Sequence, residues 1–133
     1  QPVKKLNLSA NYTLITGREK TQSRKSTNDT TYNHFLRRPK HNINLDISYR
    51  FTKDLSAGIS AKSVSSRFDV GGYQKDDIKL DDYFLLSAHA EYKLKSHFKF
   101  FADAQNITNK KFFDLRGYNA IPFLINAGVT FNW

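Results

Sequence analysis

The sequence predicts an all-β chain: an antiparallel up-and-down meander of about six strands, of the kind that walls a transmembrane barrel. Three observations predict it. Six segments alternate apolar and polar residues with a period of two; a strand puts each set on its own face, whereas a helix scatters them. The segments run about 9–11 residues, the length a tilted strand needs to cross a bilayer. The connections alternate between tight turns and long polar loops, as in membrane barrels with short turns at one end and long loops at the other.

The first segment sets Leu6, Leu8, Ala10, Tyr12 and Leu14 against Asn7, Ser9, Asn11 and Thr13. The second is the cleanest: Ile43, Leu45, Ile47, Tyr49 and Phe51 against Asn42, Asn44, Asp46, Ser48 and Arg50. The third sets Leu55, Ala57, Ile59 and Ala61 against Ser56, Gly58, Ser60 and Lys62. The fourth, 84–94, alternates Phe84, Leu86, Ala88, Ala90, Tyr92 and Leu94 with Leu85, Ser87, His89, Glu91 and Lys93. Its Ala, Leu, Glu and Lys also suit a helix, so that alternative stays open here. The fifth runs through Phe98, Phe100, Ala102 and Ala104, and the last through Phe123, Ile125, Ala127, Val129, Phe131 and Trp133. Residues 52–54 and 95–97 read as tight turns, and 16–40, 65–83 and 106–120 as long charged loops.

Alternation alone does not say which face meets what. In a soluble sandwich the apolar face packs on a core; in a membrane barrel it meets lipid and the polar face meets the lumen. Strand length, aromatics near strand ends and a polar face rich in Asn and Ser lean toward lipid. Six strands are too few to close, since the smallest membrane barrels have about eight. The rest of the barrel is therefore expected outside this chain.

Composition narrows the chemistry. The 133 residues carry 21 Lys and Arg against 12 Asp and Glu, a formal net charge of +9. That balance suits an anionic partner. Cysteine is absent, which removes disulfides, thiol nucleophiles and Cys-based zinc sites. No apolar run is long enough for a membrane-spanning helix, and no Gly-x-Ser-x-Gly or phosphate loop supports catalysis. His34, His41, His89 and His97 lack the spacing of a zinc helix. Asp76, Asp77, Asp81 and Asp82 lack the glycine-turned loop of a calcium site. The reading is of a non-enzyme with no catalytic residue, metal or cofactor.

The last third carries a more specific pattern. Asn106, Ile107, Asn109, Lys110 and Phe112 form an Asn-apolar-x-Asn-Lys-x-aromatic motif directly after a strand. Gly117 and Tyr118 follow in the next loop, and Pro122 leads into a strand that ends on Trp133. Upstream, "LRRPKHNINLDISYRF" sets basic residues, Pro and His before an alternating run. This stretch, from about residue 32 onward, resembles the C-terminal end of a TonB-dependent outer-membrane receptor; the first strand adds compatible pattern but no motif.

The resemblance implies that residues 1–133 are the C-terminal β-barrel segment of such a receptor in the bacterial outer membrane, the plug domain and remaining strands lying elsewhere. The whole receptor would import a large scarce nutrient: a siderophore-iron complex, haem, cobalamin, an oligosaccharide or a peptide. Its implied partners are the plug and other strands, TonB through an N-terminal part not in this chain, outer-membrane lipid and lipopolysaccharide, and the barrel-assembly machinery. No nucleic acid is expected. Val129, Phe131 and Trp133 are the implied assembly signal. Arg18, Arg24, Arg37, Arg38 and Arg116 are candidate contacts to ligand or lipopolysaccharide phosphate; the alternative for each is a solvated loop cation.

Two other readings remain. One is a soluble basic β-barrel that binds nucleic acid or polyanion, with Phe98, Phe100 and Phe101 as stacking residues and one strand face closed as a core. The other is a porin-like barrel.

Overall fold

The computed structural model describes residues 5–95 and 97–132, so Trp133, expected to end the assembly signal, and Ser96, in the expected 95–97 turn, lie outside the described residues. Among the described residues every regular element is a strand: β1 (Leu6–Leu14), β2 (Glu19–Gln22), β3 (Asp29–Tyr32), β4 (His41–Arg50), β5 (Leu55–Val64), β6 (Arg67–Asp69), β7 (Ile78–Leu80), β8 (Tyr83–Leu94), β9 (Phe98–Gln105), β10 (Phe113–Leu115), β11 (Tyr118–Asn119) and β12 (Leu124–Phe131). Six of them form one antiparallel sheet in the order β1-β4-β5-β8-β9-β12.

The helix alternative for 84–94 fails. Residues 83–94 form β8, paired on both sides with β5 and β9. Two flanking ladders satisfy its backbone groups, and this tertiary pairing outweighs a few tenths of a kcal/mol per residue of helix propensity. The turn at 52–54 is tight because Thr52 closes it. Its hydroxyl oxygen accepts from the Asp54 and Leu55 N–H groups at 3.1 and 3.0 Å, a side-chain mimic of a backbone turn.

On β4 and most of β9, burial is inverted relative to a soluble protein. On β4 the apolar set Ile43, Leu45, Ile47 and Tyr49 is 38–42% exposed, while Asn42, Asn44, Asp46 and Ser48 are half-buried. Polar side chains on the other face bond to one another. Ser60 donates to Asp46 at 2.6 Å across β4 and β5, and Lys99 pairs with Glu91 at 3.3 Å. Two rings lie over glycines on the next strand. A Cβ on Gly58 would sit 2.5 Å from His89 Cε1, and one on Gly128 2.6 Å from Phe101 Cζ. These glycines are needed because the rings occupy the space a side chain would fill.

The buried apolar residues Val64, Leu80 and Tyr83 sit at the long-loop end rather than under the sheet. Among the described residues the sheet is one layer and nothing packs over its apolar face, which contradicts the closed core that the soluble reading requires. The proposed stacking trio also divides. Phe98 and Phe100 are exposed on the apolar face, whereas Phe101 lies on the polar face against Gly128. A nucleic-acid platform needs its aromatics on one face.

Candidate functional site

The meander puts all three long connections at one end, and each folds into a two-stranded ribbon: β2–β3, β6–β7 and β10–β11. Loop 1 is 15–40, loop 2 is 65–82 and loop 3 is 106–123. Loop 2 is the hub, because its carboxylates take cations from loop 1 and its backbone and side chains bind loop 3.

Asp69, on β6, is 1% exposed. Its Oδ1 accepts from Arg37 Nε at 2.7 Å and from the Val70 N–H at 2.8 Å. Its Oδ2 accepts from the Arg116 N–H at 2.8 Å. One side chain thus joins all three loops. Burial pushes its carboxyl up, but the hydrogen bonds from Arg116, Arg37 and Val70 and the charge of Arg37 outweigh that and hold it below its ordinary value. Arg37 also donates its N–H to Phe68 O at 2.7 Å, beside a bridge between Leu36 and Phe68.

A second junction forms at Asp77. Its Oδ2 accepts from Arg24 Nη1 at 2.7 Å and lies 2.8 Å from His34 Nε2. Arg24 also reaches Glu19 at 3.1 Å and sits 3.9 Å over the Tyr32 ring. His34 stacks on Phe68 with centroids 3.9 Å apart. The third junction joins loop 2 to loop 3. Arg67 Nη2 meets Asp114 Oδ1 at 2.9 Å, Tyr83 donates to the same oxygen at 3.0 Å, and Phe112 packs on the Tyr83 ring at 4.1 Å.

The motif at 106–112 is a folded knot. Asn106 is buried. It accepts from the Lys110 N–H at 2.9 Å and donates Nδ2 to Lys110 O at 3.0 Å and Ile121 O at 3.2 Å. The Ile107 N–H reaches back to Leu86 O on β8 at 2.8 Å. Asn109 accepts from the Phe123 N–H at 3.1 Å and so sets the start of β12. Both Asn have positive φ, 48° and 49°, a conformation that Asn tolerates better than most residues. Asn106 thus bonds across the loop as well as locally. Lys110 is exposed. Gly117 (φ 82°) turns β10 into β11, and Tyr118 beside it is strongly exposed.

The five nominated arginines divide into two groups. Arg24 and Arg37 are held by carboxylates, and Arg116 Nη1 donates to the Val70 and Gly71 carbonyls. Arg18 and Arg38 have no ion pair among the described residues and line a common hollow. Val129 and Phe131 share the exposed apolar face of β12. Sequence reasoning missed Asp69, Asp114 and Arg67, and considered Asp77 only as a calcium ligand. Each reads as one more loop charge until its distant partner is known. Asp76 and Asp77, weighed as calcium ligands, face Lys25 and the Arg24–His34 pair instead.

Comparison with known proteins agrees with this architecture. No curated protein matches the sequence. Among solved structures, P. aeruginosa FpvA bound to pyoverdines aligns with TM-score 0.74 at 14% identity, over 96% of this chain and 17% of that one. The siderophore receptor PiuA from Acinetobacter baumannii aligns with TM-score 0.74 at 20% identity, over 96% and 19%. The ferric-catecholate import receptor Fiu from E. coli aligns with TM-score 0.70 at 15% identity, over 96% and 18%. The chain thus spans less than a fifth of the length of each of these proteins, and at such identities the likeness is one of fold. The model of the TonB dependent receptor-like β-barrel matches residues 3–107. That stretch includes the first strand, where the sequence showed no motif, and stops inside the 106–112 motif. With most of its length matched, the chain belongs to the TonB-dependent receptor-like β-barrel family.

Proposed function

We propose that residues 1–133 form the C-terminal barrel section of a bacterial outer-membrane transporter that imports a large, scarce nutrient by TonB-coupled uptake. A ferric siderophore is the cargo class this reading favours, because PiuA is described as a siderophore receptor, Fiu as a ferric-catecholate import receptor, and FpvA is in complex with pyoverdine and iron. The exposed apolar residues along the sheet, with the inverted burial of β4 and β9, carry the reading: an apolar face turned outward and a polar face behind it suit a wall between lipid and an aqueous lumen. Neighbouring strands would continue the sheet at β1 and β12, a plug would fill the lumen, and TonB would act through a segment outside this chain. The loop ribbons face lipopolysaccharide and incoming cargo, and Val129, Phe131 and Trp133 serve the assembly machinery. Transport on this reading involves no chemical step by these residues and no nucleic acid.

The test uses the full-length gene. Its deletion under iron limitation is expected to abolish uptake of one class of radiolabelled ferric siderophore, and wild-type uptake is expected to stop when TonB is removed. Uptake that persists without TonB would favour the porin-like reading. Recovery of the intact protein from the soluble fraction, folded without detergent, would overturn the membrane reading itself.

A further inference from the structure

At the long-loop end, Arg24, Lys25, Arg37 and Arg67 each face a carboxylate. Arg18, Arg38 and Lys40 face none among the described residues, and all three line one hollow of about 550 Å³. His34 and Arg67 complete its polar wall, and its lining includes no Asp or Glu.

Arg67 supplies an independent observation. Its side chain is 2% exposed, and its Nε and Nη2 are used by Asp114 and the Phe113 carbonyl. Its Nη1 is buried without a hydrogen-bond partner among the described residues. Leaving a charged donor unsatisfied is expensive, and a merely solvated loop face would not bury one. Asp114 fixes Arg67 in place, and Asp77 fixes His34, so the wall is held from behind.

We propose that this hollow is an anion site that takes a phosphate group. Arg18, Arg38 and Lys40, none of them ion-paired among the described residues, line one space with the Asp114-held Arg67 and no acid in the lining; such a set suits a ligand carrying nearly two negative charges and three acceptor oxygens. The hollow is larger than a phosphate ion, so there is room for an attached sugar or similar group beside Phe35 and Phe68. Two sources carry this chemistry: the phosphates of lipopolysaccharide and a free phosphate ester. The inference rests on the outer-membrane reading only for the first of them.

The experiment uses the full receptor containing this segment, purified in detergent and freed of lipopolysaccharide. It is titrated calorimetrically with inorganic phosphate and pyrophosphate, and separately with purified lipopolysaccharide before and after enzymatic dephosphorylation. Saturable binding of the phosphate probes is expected. Arg38→Gln and Lys40→Gln, at exposed positions with no ion pair to lose, should each weaken it about tenfold. Lys53→Gln, in the tight turn at the opposite end, should leave it unchanged. Arg67→Lys keeps the charge and removes the fork, and should also weaken binding if the variant folds. Preference for phosphorylated over dephosphorylated lipopolysaccharide would identify the lipid source; binding of the small probes alone would identify the solute. The site is refuted if no phosphate probe binds, or if Lys53→Gln weakens binding as much as Arg38→Gln. A receptor that fails the uptake test but binds phosphate here would refute the transport reading alone.

Discussion

Replacing Asp69 with Asn is expected to unfasten the three loops without disturbing the sheet. Asn has nearly the same volume but carries one acceptor oxygen. If that oxygen keeps the Arg37 and Val70 bonds of Oδ1, the amide nitrogen faces the Arg116 N–H, donor against donor. The Arg116 bond is lost and the charge supporting Arg37 goes with it. A hydrogen bond to a charged group contributes about 1.5–3 kcal/mol, so local opening should become easier by about 2–3 kcal/mol. At 1.4 kcal/mol per factor of ten, hydrogen exchange at the Val70 and Arg116 amides should speed up roughly 30–150-fold. The assay is exchange mass spectrometry on the full receptor in detergent, comparing loop peptides with β4 and β5. The same carboxylate sets a pH dependence. Its folded pKa lies below its unfolded one, so its contribution is fully present above about pH 4 and is lost as pH falls through the folded value. Wild-type loops should loosen in that acid range, and the Asn variant should show no such step. Exchange at Val70 and Arg116 within about threefold of wild type would refute the reasoning, as would equal loss of protection across β4.

Other substitutions test other parts of the fold. Asn106→Ala removes three side-chain hydrogen bonds and leaves Ala at φ 48°; it should cost about 2–4 kcal/mol, read from urea unfolding of the full barrel, and Asn106→Gly should recover only the backbone part. Ile47→Arg puts a charge in the middle of the exposed apolar face of β4 and should cost about 2–4 kcal/mol in a bilayer, whereas Ser48→Arg on the polar face should cost much less; refolding into vesicles of phosphatidylcholine measures both. Gly128→Val drives a side chain into the Phe101 ring and should destabilise by about 1–3 kcal/mol; adding Phe101→Ala should restore part of the loss, and strict additivity in the double variant would argue against the contact.

The six long strands were legible because period two is written into each one and a bilayer asks for the same length every time. Residues 84–94 were the ambiguous stretch, and pairing on both flanks, which no local window contains, decided them. The three ribbons were not legible. β6, β7, β10 and β11 have only two or three residues each, too few for a period to show. The loop junctions were hidden for another reason: Asp69 lies 32 residues from Arg37 and 47 from Arg116, and nothing in the local sequence ranks it above Asp76 or Asp81. The Asn106–Asn109 pair was legible as part of a motif directly after a strand. Its reach to Ile121 and Phe123 was not, because that depends on how loop 3 doubles back.

Among the described residues, β1 and β12 each have a sheet partner on one side only, and one face of the sheet between them is apolar and bare. In water such a sheet offers two open rows of backbone donors and acceptors together with a sticky flank, the combination that drives edge-to-edge aggregation. Produced alone, this segment should collect as inclusion bodies rather than as a monomer. Pairing of β1 and β12 with further strands, and a cover over the apolar face, would remove both hazards together.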